Sequence, residues 1–243
     1  MCGFARLCKE HGKVPSTIGP RKHGVVPSSV IASIDRFFAL RDWAGLWLTG
    51  GTCLAEFYFG HRVSLDIDLF TADEELLQAA RFSLQQPRVF GELGEVETMR
   101  VTPFFCQFLL RSPAGDTVKI DLSRDLPIKI SNKARCGQIW LDSLPDLASN
   151  KMGCLVHREE VKDYVDLYYL LPHLGLDAEA AIRLGLEKEA GLDPLIVAAQ
   201  LQFIQGHPRP DFLIADIAWD DVQEYFRRFR EEVLRIMQPP EKL

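Results

Sequence analysis

Two aspartates sit inside an otherwise apolar stretch of the segment LTGGTCLAEFYFGHRVSLDIDLF, residues 48–70. Side chains alternate across a strand. Leu65, Ile67 and Leu69 therefore face one way, and Asp66, Asp68 and Phe70 the other. A strand buried on both faces would not carry them. Two carboxylates so close on one face repel, and at neutral pH they need a cation or cationic side chains beside them. A divalent ion meets that need, because Mg2+ prefers oxygen ligands and takes one or two carboxylates together with substrate phosphates.

The alternation recurs in TVKIDLS, where Val118, Ile120 and Leu122 share one face and Lys119 and Asp121 take the other. If this strand lies beside 64–70, Asp121 joins Asp66 and Asp68. Three carboxylates on neighbouring strands can hold two metal ions for in-line displacement at phosphorus, one ion on the triphosphate and one lowering the pKa of the attacking hydroxyl. Ahead of the aspartates stands Gly50-Gly51-Thr52. Glycines allow close backbone approach, and the Thr52 hydroxyl and the amides that open the next helix suit phosphate oxygens. His61, Arg62 and Ser64 add cationic and hydroxyl groups just before the carboxylates.

The 243 residues are 47% apolar, enough for one large domain or two small ones with a core. Net charge is −6, which argues against broad salt-driven coating of nucleic acid but leaves room for a local basic pocket. Six cysteines at 2, 8, 53, 106, 136 and 154 show no CxxC spacing, so neither a zinc ribbon nor a thioredoxin motif is supported. Reduced thiols in the cytoplasm are expected. The first residues lack an apolar signal core. No apolar run approaches the roughly 20 residues of a membrane span.

Proline and glycine punctuate residues 1–27, read as an irregular lead-in. A helix is expected over 28–41, a strand over 47–49, a helix over 52–59 stopped by Gly60, a strand over 64–70 and a helix over 73–86. Strands follow over 88–102, 104–112 and 117–123, with a hairpin turn at 112–116 and short strands at 128–130 and 139–141. From Ser143 helical patterns dominate. DLASNKMGCLVHREEVKDYVDLYYLL reads as two helices or one bent one. Arg158, Lys162 and Asp166 stand at successive i,i+4 steps and can face one way, with Val161, Tyr164, Val165 and Tyr168 as core. Arg227, Arg228 and Arg230 lie among acids, which predicts a salt-bridged surface helix. The class is α+β: a mixed sheet flanked by helices over 28–141, then a helical domain over 142–243.

The run from Gly50-Gly51-Thr52 through His61-Arg62 and Ser64 to Asp66-x-Asp68-Leu69-Phe70 resembles the first motif of the polymerase-β-like nucleotidyltransferase superfamily, and more narrowly the AbiEii/AbiGii toxin-type enzymes. The second block resembles that family's Lys…Arg…Arg/Lys-Asp…Asp-Leu helical signature, with Lys151, Arg158, Lys162, Asp163 and Asp166 on its charged positions. The likeness spans residues 28–171. Cys53 departs from the small apolar residue that is more usual, and Lys162 stands where Arg is a better phosphate partner.

The resemblance implies a Mg2+-dependent, pyrophosphate-releasing nucleotidyltransferase with two ions. Asp66 and Asp68 would bind metal, and Asp121 would bind metal or act as general base, with Asp163 the alternative third carboxylate. Gly50, Gly51, Thr52, Arg62, Ser64, Lys151, Arg158, Lys162, Asp163 and Asp166 would surround the nucleotide, Lys151 and Arg158 neutralising the triphosphate. The helical domain would complete the nucleotide cleft. The NTP would give its NMP to a hydroxyl of a tRNA 3′ end or a protein. The setting would be the toxin of a toxin–antitoxin or phage-defence pair, with a cognate antitoxin protein as partner. Rival readings are an antibiotic-type enzyme acting on a small molecule, and a nucleotide-binding module without turnover that works through a partner protein.

Overall fold

The structure, a computed structural model, describes residues 19–238. The lead-in expected over 1–27 lies outside the described residues as far as residue 18. The chain divides into two units, with the boundary between Ser143 and Leu144.

The first unit opens with α1 (Ser28–Phe38), whose buried Val30, Ser33, Ile34, Phe37 and Phe38 form one stripe at helical spacing. Strand β1 (Leu46–Thr49) is buried throughout. Helix α2 (Gly50–Leu54) starts at the glycine pair, earlier than the residue 52 expected, and runs into a π-helical turn, Ala55–Phe59. Gly60 stops it at φ +63°. Glu56 in that turn is buried because its carboxylate accepts the amides of Gly24, Val25 and Val26 at 2.8, 2.9 and 3.1 Å.

Next come β2 (Ile67–Thr71), α3 (Glu74–Leu84), β3 (Glu95–Val101), β4 (Phe105–Arg111), β5 (Thr117–Arg124), β6 (Ala134–Cys136) and β7 (Ile139–Leu141). Asp73 caps α3 by accepting the Leu76 amide. The strand expected from 88 begins only at Glu95, because residues 87–94 form turns and a 3-10 segment. The strand expected over 128–130 is absent. Pro127 removes a donor there, and the short strand forms at Ala134–Cys136 instead.

The seven strands form one mixed sheet in the order β3-β4-β5-β2-β1-β7-β6. β2 runs parallel to β5 and antiparallel to β1, and β1 runs parallel to β7. One face is apolar and buried: Cys106, Phe108 and Leu110, then Val118, Ile120 and Leu122, then Ile67 and Leu69. α1 covers it, with Ile34, Phe37 and Phe38 lining a small void shared with Ile67, Leu69 and Ile120. The opposite face carries the polar residues of the alternation.

The second unit is helical: α4 (Leu144–His157), α5 (Val161–His173), α6 (Ala178–Leu186), α7 (Pro194–Gln200) and α8 (Trp219–Ile236). Asp177 and Asp193 cap α6 and α7 through the Ala180 and Leu195 amides. The core gathers Met152, Tyr164, Leu167, Val197, Phe226 and Phe229, among others. On α8, Arg227 and Arg228 pair with Glu224 and Glu231 as expected from the sequence, whereas Arg230 donates through Nε to the Ala198 carbonyl at 2.9 Å. No described helix is long and apolar enough to cross a membrane. Cys53, Cys106, Cys136 and Cys154 are free thiols.

Candidate active site

The sheet register lines up the polar residues. Asp68 on β2 stands opposite Asp121 on β5 and Thr49 on β1, and Asp121 stands opposite Gln107 on β4. Adjacent strands lie about 4.8 Å apart, so two carboxylates meet side by side in the middle of the sheet. Asp66 precedes β2 by one residue, on the same side as Asp68. Gln107 Nε2 donates to Asp121 Oδ1 at 3.0 Å and fixes that carboxylate. Lys119 reaches into the cluster: its Nζ is 3.1 Å from Asp66 Oδ2 and 3.4 Å from Asp121 Oδ2. Burial alone would lower the Lys119 pKa. The hydrogen bond to Asp66 and the nearby Asp121 and Asp68 outweigh it and hold the ammonium above its ordinary value.

The glycine turn is shaped by what rests on it. Gly50 has φ +69°, and a Cβ there would collide with the Asp68 carboxylate. A Cβ on Gly51 would strike the Arg62 guanidinium and crowd the Ser64 hydroxyl. The pair thus lets an acid and a cation close onto the backbone at the head of α2. Thr52 is fully buried, and its hydroxyl donates to the Asp66 carbonyl. It anchors the segment that carries the aspartates, so its oxygen is committed to the fold. Arg62 is buried and donates through Nη1 to the Val63 carbonyl at 3.0 Å. Ser64 lies half-buried beside Gly51.

Sequence reasoning passed over Asp142, just after β7. It is fully buried and accepts the Thr49 hydroxyl at 2.7 Å and the Lys133 ammonium at 2.6 Å. Thr49 immediately precedes the glycine turn, so Asp142 secures the turn from behind. No spacing signal marks it, because Thr49 and Asp142 lie 93 residues apart.

In the helical unit, Arg158 does not share a helix with Lys162 and Asp166 as the i,i+4 spacing suggested. α4 ends at His157 and α5 starts at Val161, so Arg158 sits in the break. The break turns the charged positions toward one another. Lys151 Nζ lies 2.6 Å from both Asp163 and Asp166. Arg158 forks onto Asp163, with Nε to Oδ2 at 2.7 Å and Nη2 to Oδ1 at 2.9 Å. Asp163 and Asp166 are buried. Burial would raise the Asp163 pKa, but Lys151 and Arg158 prevail and hold it below its ordinary value. The Arg158 pKa rises, chiefly through its hydrogen bond to Asp163. Both oxygens of Asp163 are thereby engaged, whereas Asp121 faces Asp68 on the sheet. Lys162 pairs with Glu160 at 2.6 Å. His157 is exposed and meets Glu189 at 2.7 Å.

A mixed sheet with carboxylates in register beside a Gly-Gly turn is what the resemblance to nucleotidyltransferases implied. Solved structures bear the fold out. JHP933 from Helicobacter pylori matches with a TM-score of 0.55 at 14% identity, covering 86% of this chain and 90% of that one. MenT4, a nucleotidyltransferase toxin from Mycobacterium tuberculosis H37Rv, matches with a TM-score of 0.52 at 14% identity, covering 85% and 86%. Among curated sequences, an uncharacterized protein of Aquifex aeolicus is 26% identical over 204 residues, covering 83% of this chain and 94% of that one. Residues 41–240 match the model of the nucleotidyl transferase AbiEii toxin family, Type IV TA system. The chain belongs to that family of nucleotidyltransferase toxins.

Proposed function

We propose that this nucleotidyltransferase moves an NMP from an NTP to an acceptor hydroxyl at the open face of the sheet, with Mg2+ as its metal. The observation that carries this reading is the register pairing of Asp68 with Asp121 beside Gly50, with Asp66 on the same side. A set of carboxylate oxygens alone suits a hard divalent cation, so the chemistry of these residues fits Mg2+. As they stand, no three Asp, Glu, His or Cys side chains among the described residues converge as a metal site. Lys119 instead bridges Asp66 and Asp121. Asp66, Asp68 and Asp121 would hold the metal, which supplies charge neutralisation at the triphosphate.

In the transfer, the acceptor oxygen attacks the α-phosphorus, the bond from that phosphorus to the bridging oxygen breaks, and pyrophosphate leaves. Where Asp121 is not a metal ligand it takes the hydroxyl proton as general base, Gln107 orienting its carboxylate. Gly50 and Gly51 give the phosphates access to main-chain amides at the head of α2. Thr52 keeps the aspartate segment in place. In the helical unit, Lys151 is nearly buried between two carboxylates, and we assign it to holding them. Arg158 remains 41% exposed and is the cation of that block suited to a phosphate.

The acceptor is a tRNA 3′ end or a protein hydroxyl, and an antitoxin protein is the expected partner. Incubation with labelled NTPs and total tRNA, total protein or small-molecule pools identifies the acceptor. Asp68→Asn should lower transfer at least about 10³-fold while the far-ultraviolet spectrum stays unchanged. Transfer at the wild-type rate in that variant would remove the carboxylate row from the mechanism. NTP binding without pyrophosphate release in the wild type would favour a binding module.

A further inference from the structure

Lys119 lies on the carboxylate face and has no part in the proposed reaction. The register that joins Ile67 to Ile120 sets Asp66 level with Lys119. The ammonium therefore lies between Asp66 and Asp121, within ion-pair distance of each. A divalent ion bound by the same carboxylates would need the oxygens that Lys119 now engages. Two cations on shared oxygens repel. The lysine side chain is 39% exposed on a flexible four-carbon stem, so it has room to leave.

We propose that Lys119 is the resident cation of this cluster: it holds Asp66 and Asp121 together before a divalent ion arrives, and gives up their oxygens when the ion binds. This rests on reading the cluster as a metal site. Two consequences follow from the charge balance. Lys119 weakens metal binding to the nucleotide-free protein, because each ion must displace it. It also stabilises the protein without metal, because three carboxylates on one face otherwise repel. The displaced ammonium stays on the same face, where the next anion to arrive is the triphosphate. Metal and nucleotide are thereby coupled, each favouring the arrangement the other needs.

The test measures Mn2+ binding to the nucleotide-free full-length chain by electron paramagnetic resonance, and thermal melting with and without a chelator. Lys119→Met keeps the apolar stem and removes the charge. It should bind Mn2+ at least about tenfold more tightly than the wild type. Its melting temperature should fall below the wild type in chelator, and the gap should close when Mn2+ saturates the site. Lys119→Arg keeps the charge and should keep the wild-type Mn2+ affinity. Lys119→Gln replaces the methionine variant if that one does not fold. Unchanged or weaker Mn2+ binding in the charge-free variants, with clear binding in the wild type, would overturn this proposal and leave the metal site standing. Absence of Mn2+ binding in every variant and the wild type would overturn both.

Discussion

Gly50 sits at φ +69°, and the Asp68 carboxylate occupies the place where a side chain would begin. Any L-residue there meets two penalties at once, a left-handed backbone and a collision with an acid of the proposed site. Gly50→Ala should cost about 1–3 kcal/mol in urea unfolding, and it should reduce transfer by two orders of magnitude or so by pushing Asp68 out of line. Stability and activity measured on one preparation would check both. Gly51 is different, because the atom nearest its absent Cβ is the far end of the Arg62 side chain, which can move. The aspartates themselves were legible from period-two alternation in two segments, since a polar residue on an apolar strand has few explanations. Lys119 was visible on the right face. Its seat between Asp66 and Asp121 was not, because that depends on which strands pair and in what register.

The pairing of α4 with α5 shows what an interrupted helix accomplishes. Three residues outside any helix, 158–160, let Lys151 from one helix meet Asp163 and Asp166 from the other, with Arg158 closing over the top. Both acids are buried, so removing Lys151 takes away a cation they share and leaves Arg158 on Asp163. Lys151→Met should destabilise the chain by about 3–5 kcal/mol at neutral pH. The pH dependence has a definite sign. The folded-state pKa of Asp163 lies below its ordinary 3.8. Its contribution is therefore fully present above about pH 3.8, and is lost as pH falls through the depressed value, because the unfolded chain takes up the proton first. In the methionine variant only Arg158 depresses Asp163, so that acid penalty is smaller and the deficit against the wild type should shrink below about pH 4. Urea melts across pH 3 to 7 would follow it. The sequence displayed these charges but suggested one stepped face of a helix. Helix ends are set by caps and packing that spacing does not encode.

Membership of the AbiEii toxin family makes the whole chain a candidate for growth inhibition. Induced expression of the wild type in a bacterial host should arrest growth, while Asp68→Asn at the same protein level should not. Colony counts with matched immunoblots would show it, and growth arrest by both would separate toxicity from the carboxylate row. The amino-acid order alone established the α+β class, the alternation that exposes Asp66, Asp68 and Asp121, the glycine turn and the charged helical block. Each of those is a local pattern, written in neighbouring residues with periods of two or about four. Tertiary structure decided the rest: that β5 runs parallel to β2 so that Asp121 meets Asp68, that Asp142 secures Thr49 from 93 residues away, that Lys119 fills the gap between acids, and that Lys151 is enclosed by its counterions. Those facts join residues that are distant in the chain, and only the packing of strand on strand and helix on helix brings them within reach of a hydrogen bond.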